Sequence, residues 1–178
     1  MVQMTLKAMS LTVATALAAF AAAAVWSGAT RAADDPDQPP PPAWTFSHED
    51  GETMLLFGVP AEWEGSPNYL RCTDGSGRVE AEFWADHQVT PNREGGEGTT
   101  EMIIRSGAIE KAFGAHAQDE EMNGGAEVTA TLSADEPVLA EFARTGVIKL
   151  TAYGQSSDMP AAKPADAAKL IQACRKAR

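Results

Sequence analysis

Cysteine and histidine are scarce in this sequence, and each shortage excludes a class of function. The two cysteines form no CxxC motif, which argues against a thioredoxin-like redox enzyme. The three histidines, His48, His87 and His116, have none of the HxH, HxxxH or HExxH spacings of local zinc sites. We therefore predict no metal site and no cofactor.

Catalytic and ligand-binding motifs are also missing. Neither segment 75–77 nor segment 154–157 has the Gly-x-Ser-x-Gly pattern of a serine hydrolase. The glycine-rich segment 74–78 is expected at a hairpin tip, without the following helix that phosphate sites use. The acidic segments 93–100 and 119–125 are expected to be flexible loops, and they lack the spaced ligands of a calcium loop. The sequence predicts no catalytic residue.

Long hydrophobic runs are few, and one of them lies near the N-terminus. Residues 11–25 form an uncharged run of about 15 residues after a segment whose only charge is Lys7. A membrane-spanning helix needs roughly 20 residues, so we predict a cleaved signal peptide over 1–32 rather than an uncleaved anchor. The mature protein would then be periplasmic or secreted, with no stable membrane anchor.

Basic residues are outnumbered by acidic ones. Removal of residues 1–32 takes away two of the 14 basic residues and none of the 25 acidic ones, so the formal net charge changes from -11 to -13. Nucleic acid and anionic membranes are poor partners for such a chain, and a basic envelope protein is a better one. Solubility alone also explains an acidic surface. The pattern leaves the oligomeric state open.

The rest of the chain has the length and the periodicity of one β-rich domain. Residues 33–43 are acidic and proline-rich, which predicts an extended linker, and 44–178 would form a single domain. Alternating apolar residues predict antiparallel strands at 53–58, 69–74, 78–86, 101–109, 127–133 and 147–154. We expect an antiparallel β-sandwich or a small barrel-like sheet, with a short helix at 137–144 and a C-terminal amphipathic helix at 164–178 packed on it.

The two cysteines are expected on apolar faces of this fold. In the predicted hairpin, Cys72 shares a face with Leu70, Val79, Ala81 and Phe83, whereas Arg71, Glu80 and Glu82 would face water. In the last helix, Cys174 continues a stripe formed by Ala167, Leu170 and Ile171. In an oxidising compartment, such a pair predicts one structural disulfide between Cys72 and Cys174.

Carboxylates beside tryptophan are the remaining candidates for chemistry, because carbohydrate sites often contain this pairing. The residues in question are Glu62, Glu64, Glu80, Glu82 and Asp86, next to Trp63 and Trp84. Strand alternation produces the same pairing by itself, and a glycosidase pair leaves no sequence spacing to recognise.

Three short segments resemble a known group of proteins. Segments 55–60 (LLFGVP), 71–79 (RCTDGSGRV) and 170–175 (LIQACR) are similar to uncharacterised small exported proteins of alphaproteobacteria, and the layout more distantly resembles the invasion-associated locus B family. The resemblance implies a periplasmic β-rich fold with a Cys72–Cys174 bridge. It implies no catalytic residue.

Three functions remain open at this stage. The favoured one is a non-enzymatic periplasmic binding or interaction module. The second is an acidic inhibitor of a basic envelope enzyme such as a lysozyme, and the third is a carbohydrate-acting enzyme. A cleft with convergent carboxylates would favour the enzyme, whereas a flat acidic face would favour binding.

We predict that export removes the signal peptide near Ala32. Small residues at positions 29 and 32 fit the cleavage pattern, and the second site is the favoured one. Mass spectrometry of the exported protein should find an N-terminus at Ala33 or within a few residues of it. A mature form that retains Met1 would contradict this expectation.

Overall fold

The computed structural model describes residues 41–59, 68–87, 89, 96–120 and 124–175. The predicted signal peptide, residues 33–40 of the predicted linker, and the candidates Glu62, Trp63 and Glu64 lie outside the described residues. Within the described ranges, the chain forms nine strands and two helices. Neither helix is long and apolar enough to cross a membrane.

The nine strands form one antiparallel, curled sheet. In chain order, the elements are β1 (Ala43–Glu49), β2 (Glu52–Gly58), β3 (Asn68–Thr73), β4 (Arg78–Ala85), β5 (Glu97–Ser106), β6 (Ile109–Asp119), β7 (Ala126–Ser133), α1 (Pro137–Thr145), β8 (Lys149–Ala152), β9 (Gln155–Ser156) and α2 (Pro164–Cys174). The strand order is β1-β2-β3-β4-β7-β6-β5-β8-β9. This confirms the mainly β fold class, with the barrel-like sheet rather than a sandwich.

Both helices pack on one face of the sheet, which we call the inner face. Helix α2 contacts β2, β3 and β4, helix α1 contacts β5 and β6, and the two helices contact each other. Alternate strand residues point into this layer, and the outer face is the opposite side of the sheet. Large, fully buried side chains of the core are Leu55, Leu70, Val79, Met102, Ile104, Val128, Leu132, Leu139, Phe142, Leu150, Leu170 and Ile171.

The β3–β4 hairpin and its link to α2 confirm the predicted disulfide. Leu70 pairs with Ala81 across the hairpin, and the side chains predicted to face the core are buried. Cys72 and Cys174 are bonded, with Cα atoms 5.6 Å apart. The hairpin turn also donates two backbone hydrogen bonds to the end of α2, from Gly75 N to Ala173 O and from Gly77 N to Cys174 O, each 2.7 Å. These bonds satisfy carbonyls that a helix C-terminus leaves without partners.

Helix α1 extends one residue beyond the predicted 137–144, and Gly146 caps its C-terminus. Gly146 has a φ of 71°, and its N–H donates to the carbonyl of Phe142. A side chain at this position would collide with the carbonyl oxygen of Ala162, in the segment that leads to α2. Glycine is therefore needed at this position for two reasons: it ends α1 in the left-handed conformation, and it leaves room for the backbone at Ala162.

The strand predictions are wrong around β6. Segment 101–109 was expected to be one strand, but the chain turns at Gly107 and Ala108 and returns as β6 (Ile109–Asp119). The inward positions of β6 include Ala115 and Ala117, which are buried although they are small. Small side chains give a weak hydrophobic alternation, so the pattern that identifies a strand is faint here.

Other boundaries also differ from the prediction. Strand β1 was not predicted, and β5 begins at Glu97, so residues 97–100 of the expected 93–100 loop are strand. The expected strand 147–154 is shorter and turns at Tyr153 and Gly154 into β9. Helix α2 ends at Cys174, because the next residue has an extended backbone, with a ψ of 140° at Arg175. Residues 93–95, 121–123 and 176–178 lie outside the described residues.

We predict that Cys174→Ser lowers the free energy of unfolding by about 2 to 5 kcal/mol, because the disulfide closes a loop of 102 residues in the unfolded chain. Helix α2 should be the first element to gain hydrogen exchange, which mass spectrometry can follow peptide by peptide. Cys72→Ser is the matched control and should have a similar effect. The double variant should lose little more than either single variant, and additive losses would contradict the account.

Candidate functional site

The outer face of the sheet carries a buried carboxyl group on β4. Glu82 is 7% exposed, and it is the one buried carboxylate among the described residues. The sequence predicted that Glu82 would face water, and that prediction is wrong. Glu82 does lie on the outer face, but Tyr69 stands opposite it on β3 and Thr129 on β7. Strand alternation determines on which face of the sheet a side chain lies. It does not determine whether neighbouring side chains shield that residue from solvent.

Glu82 lies beside two titratable groups. The Tyr69 hydroxyl belongs to the residue opposite it on β3, and the carboxyl group of Glu127 belongs to the residue two positions before Thr129 on β7. Burial is the main cause that raises the pKa of Glu82, to about 8, and the adjacent Glu127 carboxylate raises it further. Arg71 and the Tyr69 hydroxyl lower the same pKa and do not offset the burial. Glu82 therefore keeps its proton at neutral pH.

Tyr69 also remains protonated. Burial raises the pKa of its hydroxyl, and the adjacent Glu82 raises it further. We call Glu82 and Glu127, with the Tyr69 hydroxyl, the carboxyl cluster. The adjacent Glu127 carboxylate favours the protonated form of Glu82, because a second negative charge beside it would be repelled.

Trp84 lies next to the carboxyl cluster and is held against a glycine turn. It stands opposite Glu127 in the register, and its indole N–H donates to the carbonyl of Gly124 at 3.1 Å. A side chain at Gly125, where φ is 88°, would collide with the ring of Trp84. The ring orientation is thus fixed by the backbone of residues 124–125.

A polar groove of about 470 Å³ lies further along the same face. Arg71 is bound there by Glu80, with a distance of 2.8 Å from its Nε to the Glu80 carboxylate, and Glu52 lies 4.0 Å from the same nitrogen. The guanidinium group of Arg71 is therefore already paired with these two carboxylates. Arg78 and Thr131 also line the groove.

A second polar cluster lies at the β1–β2 end of the sheet. The hydroxyl group of Thr53 donates to Asp74 at 2.7 Å, and Nδ1 of His48 lies 2.8 Å from the same hydroxyl oxygen. Because the single hydroxyl proton of Thr53 is directed to Asp74, Nδ1 of His48 is the donor to Thr53. Thr53 is fully buried, so its hydroxyl cannot meet a substrate, and the arrangement holds the three side chains in place.

The other predicted candidates do not converge on one site. Glu80 is bound to Arg71, and Asp86 is exposed at the end of β4, where its backbone bonds to Gln155. Glu82 is 7% exposed, so its carboxyl group is not presented to solvent as a general acid facing a substrate would be.

The histidines are distributed over different parts of the described structure. His48 binds Thr53, the His87 ring stacks on Tyr153 with centroids 3.9 Å apart, and His116 is exposed on the outer face of β6. Among the described residues, no three His, Cys, Asp or Glu side chains are arranged to hold a metal ion. Sequence reasoning missed Tyr69 and Glu127, since only the register brings them to Glu82.

Comparison of the chain with protein-family models, curated proteins and solved structures finds no match. Conclusions about function therefore depend on the residues and their geometry.

We predict that Glu82→Gln removes a pH-dependent loss of stability. The folded chain holds the Glu82 proton up to a pKa of about 8, whereas the unfolded chain releases it near 4.5. Deprotonation therefore favours the unfolded state as the pH rises from about 5 to about 8, and the stabilising contribution of this group is present only at lower pH. Glutamine cannot ionise, so the variant should lose less stability over this range.

Urea denaturation at several pH values measures this difference. Glu110→Gln is the matched control, because Glu110 is an exposed glutamate on the same sheet, and its curve should follow that of the wild type. Parallel pH curves for the wild type and Glu82→Gln would show that Glu82 is already ionised in the folded protein.

Proposed function

We propose that this protein is an exported, non-enzymatic binding module that recognises a cationic protein through the outer face of its sheet. The observation that carries the proposal is the charge of this face. Besides the protonated Glu82, outward strand residues there include seven glutamates and four basic residues, namely Glu49, Glu52, Glu80, Glu97, Glu101, Glu110 and Glu127 against Arg71, Arg78, Arg105 and Lys149.

The positions of the charges make the excess local. Arg71 and Arg78 lie on β3 and β4, where Glu80 and Glu52 pair with Arg71. On β5, β6 and β7, the outer face carries four glutamates against Arg105. This half of the face is the part that attracts a basic surface most strongly.

The architecture supports a binding role for the same face. The helices cover the inner face, and outward residues of β5 and β6 such as Glu101, Ile103 and His116 are exposed. A paired sheet holds these side chains at fixed spacing, which limits the conformational entropy that a partner must remove on binding. A disulfide-bonded core is compatible with an exported protein, since disulfides persist in oxidising compartments.

Inhibition of a basic envelope enzyme is a specific form of this proposal. The same acidic face favours it, and the two forms differ in whether binding blocks the partner's activity. Lysozyme turnover in the presence of a saturating amount of the protein distinguishes a binder from an inhibitor.

We predict that immobilised protein binds lysozyme, used as a basic probe, with an on-rate that falls about tenfold or more from low to high ionic strength. Serum albumin, an acidic protein, should not bind. Surface plasmon resonance measures both.

Glu110→Lys should slow association with lysozyme, because it reverses a charge on the outer face. Asp158→Lys is the matched control, with the same charge change at an exposed position outside the sheet. Equal effects of the two variants, or binding that is indifferent to salt, would contradict recognition by this face.

A further inference from the structure

Strand β5 lies between β6 and β8 and is much longer than β8. All ten residues of β5 pair with β6, but only Ile103–Arg105 pair with β8. Residues 97–102 therefore have no strand partner on their other edge among the described residues. Backbone N–H and C=O groups on such an edge can accept an additional strand.

A groove of about 620 Å³ lies along this free edge. Its β5 wall is formed by Thr99, Thr100, Glu101 and Ile103, and residues 151–154 of β8 and its turn form the other wall. Val89 fills the inner face at Gly98, where a side chain would come within 2.7 Å of its methyl group. Outward residues of β5, Thr99 and Glu101, are exposed at the groove.

Tyr153 forms the end of the groove and is held in an unusual conformation. Its φ is 50° and that of Gly154 is 73°, as in a type I′ turn, where asparagine is common and a bulky residue is an outlier. The ring stacks on His87, and the Gln155 side chain exchanges two hydrogen bonds with the backbone of Asp86, at 2.9 and 2.7 Å. These contacts hold the wall in place before a ligand arrives.

The charge of the groove selects the occupant. Glu101 is its one acidic lining residue, and Gly114 stands opposite it on β6, so that neighbour offers no basic side chain. Glu97 lies on the same face of β5, toward its N-terminal end. The other lining residues of β5 are Thr99, Thr100 and Ile103. This lining suits an extended segment that alternates basic side chains with apolar or hydroxyl ones.

We propose that the free edge of β5, at residues 99–102, accepts an extended lysine- or arginine-bearing segment of the cationic partner as an additional strand. The inference rests on the proposed function, and it specifies how the partner is held. Main-chain hydrogen bonds supply affinity that does not depend on charge, and Glu101 selects a basic side chain at the adjacent position.

The test uses the purified full-length protein and the blocked peptide Thr-Lys-Val-Lys-Val-Lys-Thr. Two derivatives carry N-methyl groups on the lysine amides or on the valine amides, so each blocks one edge of the extended peptide without changing its charge. Calorimetry should show that one derivative binds about tenfold or more weakly, because it loses two or three main-chain hydrogen bonds. If both derivatives bind like the parent peptide, or if the parent does not bind, strand addition is wrong.

Protein variants locate the site. Glu101→Lys should weaken binding of the parent peptide about tenfold or more, whereas Glu110→Lys, the same charge change outside the groove, should weaken it only a few-fold. Amide chemical shifts should change at residues 99–102. Equal losses in the two variants, or shifts concentrated on the other sheet edge at β1, would overturn the proposal.

The two proposals fail differently. Salt-sensitive lysozyme binding together with unchanged affinity of both N-methylated peptides leaves recognition by the acidic face intact and removes strand addition. If the wild-type protein does not bind lysozyme, the proposed function itself is wrong.

Discussion

The end of α2 is fixed to the turn between β3 and β4 by one covalent bond and two backbone hydrogen bonds. The rest of the inner layer depends on this junction, because α2 contacts three strands and also packs against α1. An ion pair between Arg175 and Asp135, with 3.2 Å between Nε and a carboxylate oxygen, joins the same region to the start of α1. The helix layer is thus held at the hairpin, and the short α2 does not have to be stable on its own.

Both helices cover the inner face, so only the outer face of the sheet is left uncovered by them. Apolar side chains concentrate on the inner side, while glutamate, threonine and arginine line the other side. The charges on this side are uneven: Arg71 is paired with glutamates, and the strands from β7 to β5 carry most of the excess acid. The proposed binding role uses this outer face, which the two helices leave uncovered.

Two features of the sheet depart from simple regularity, and both lie on or beside the outer face. Burial of Glu82 makes the folded state sensitive to the protonation of one carboxyl group. The difference in length between β5 and β8 leaves residues 97–102 of β5 without a partner strand on that edge in the described structure. Burial of a carboxyl group costs stability, and an unpaired strand edge can pair with another chain.

Prediction from the sequence succeeded where a side-chain pattern was strong and failed where it was weak. The hairpin at β3 and β4 has large alternating residues, and α2 has a clear apolar stripe, so both were predicted. Strand β6 presents alanine to the helices, and the pattern of small residues does not distinguish a strand from a loop. The β8–β9 turn was missed because tyrosine at Tyr153 is not a turn residue by composition.

The sequence by itself determined that Cys72 and Cys174 lie on apolar faces, because the periods of strand and helix assign every side chain to a side. It did not determine that Glu82 is buried or that Glu127 and Tyr69 lie beside it. Those contacts join β3, β4 and β7, and only the tertiary pairing of the strands sets their register. The free edge of β5 likewise depends on where β8 ends beside it. Local periodicity specifies a face, whereas neighbours distant in the chain decide its environment.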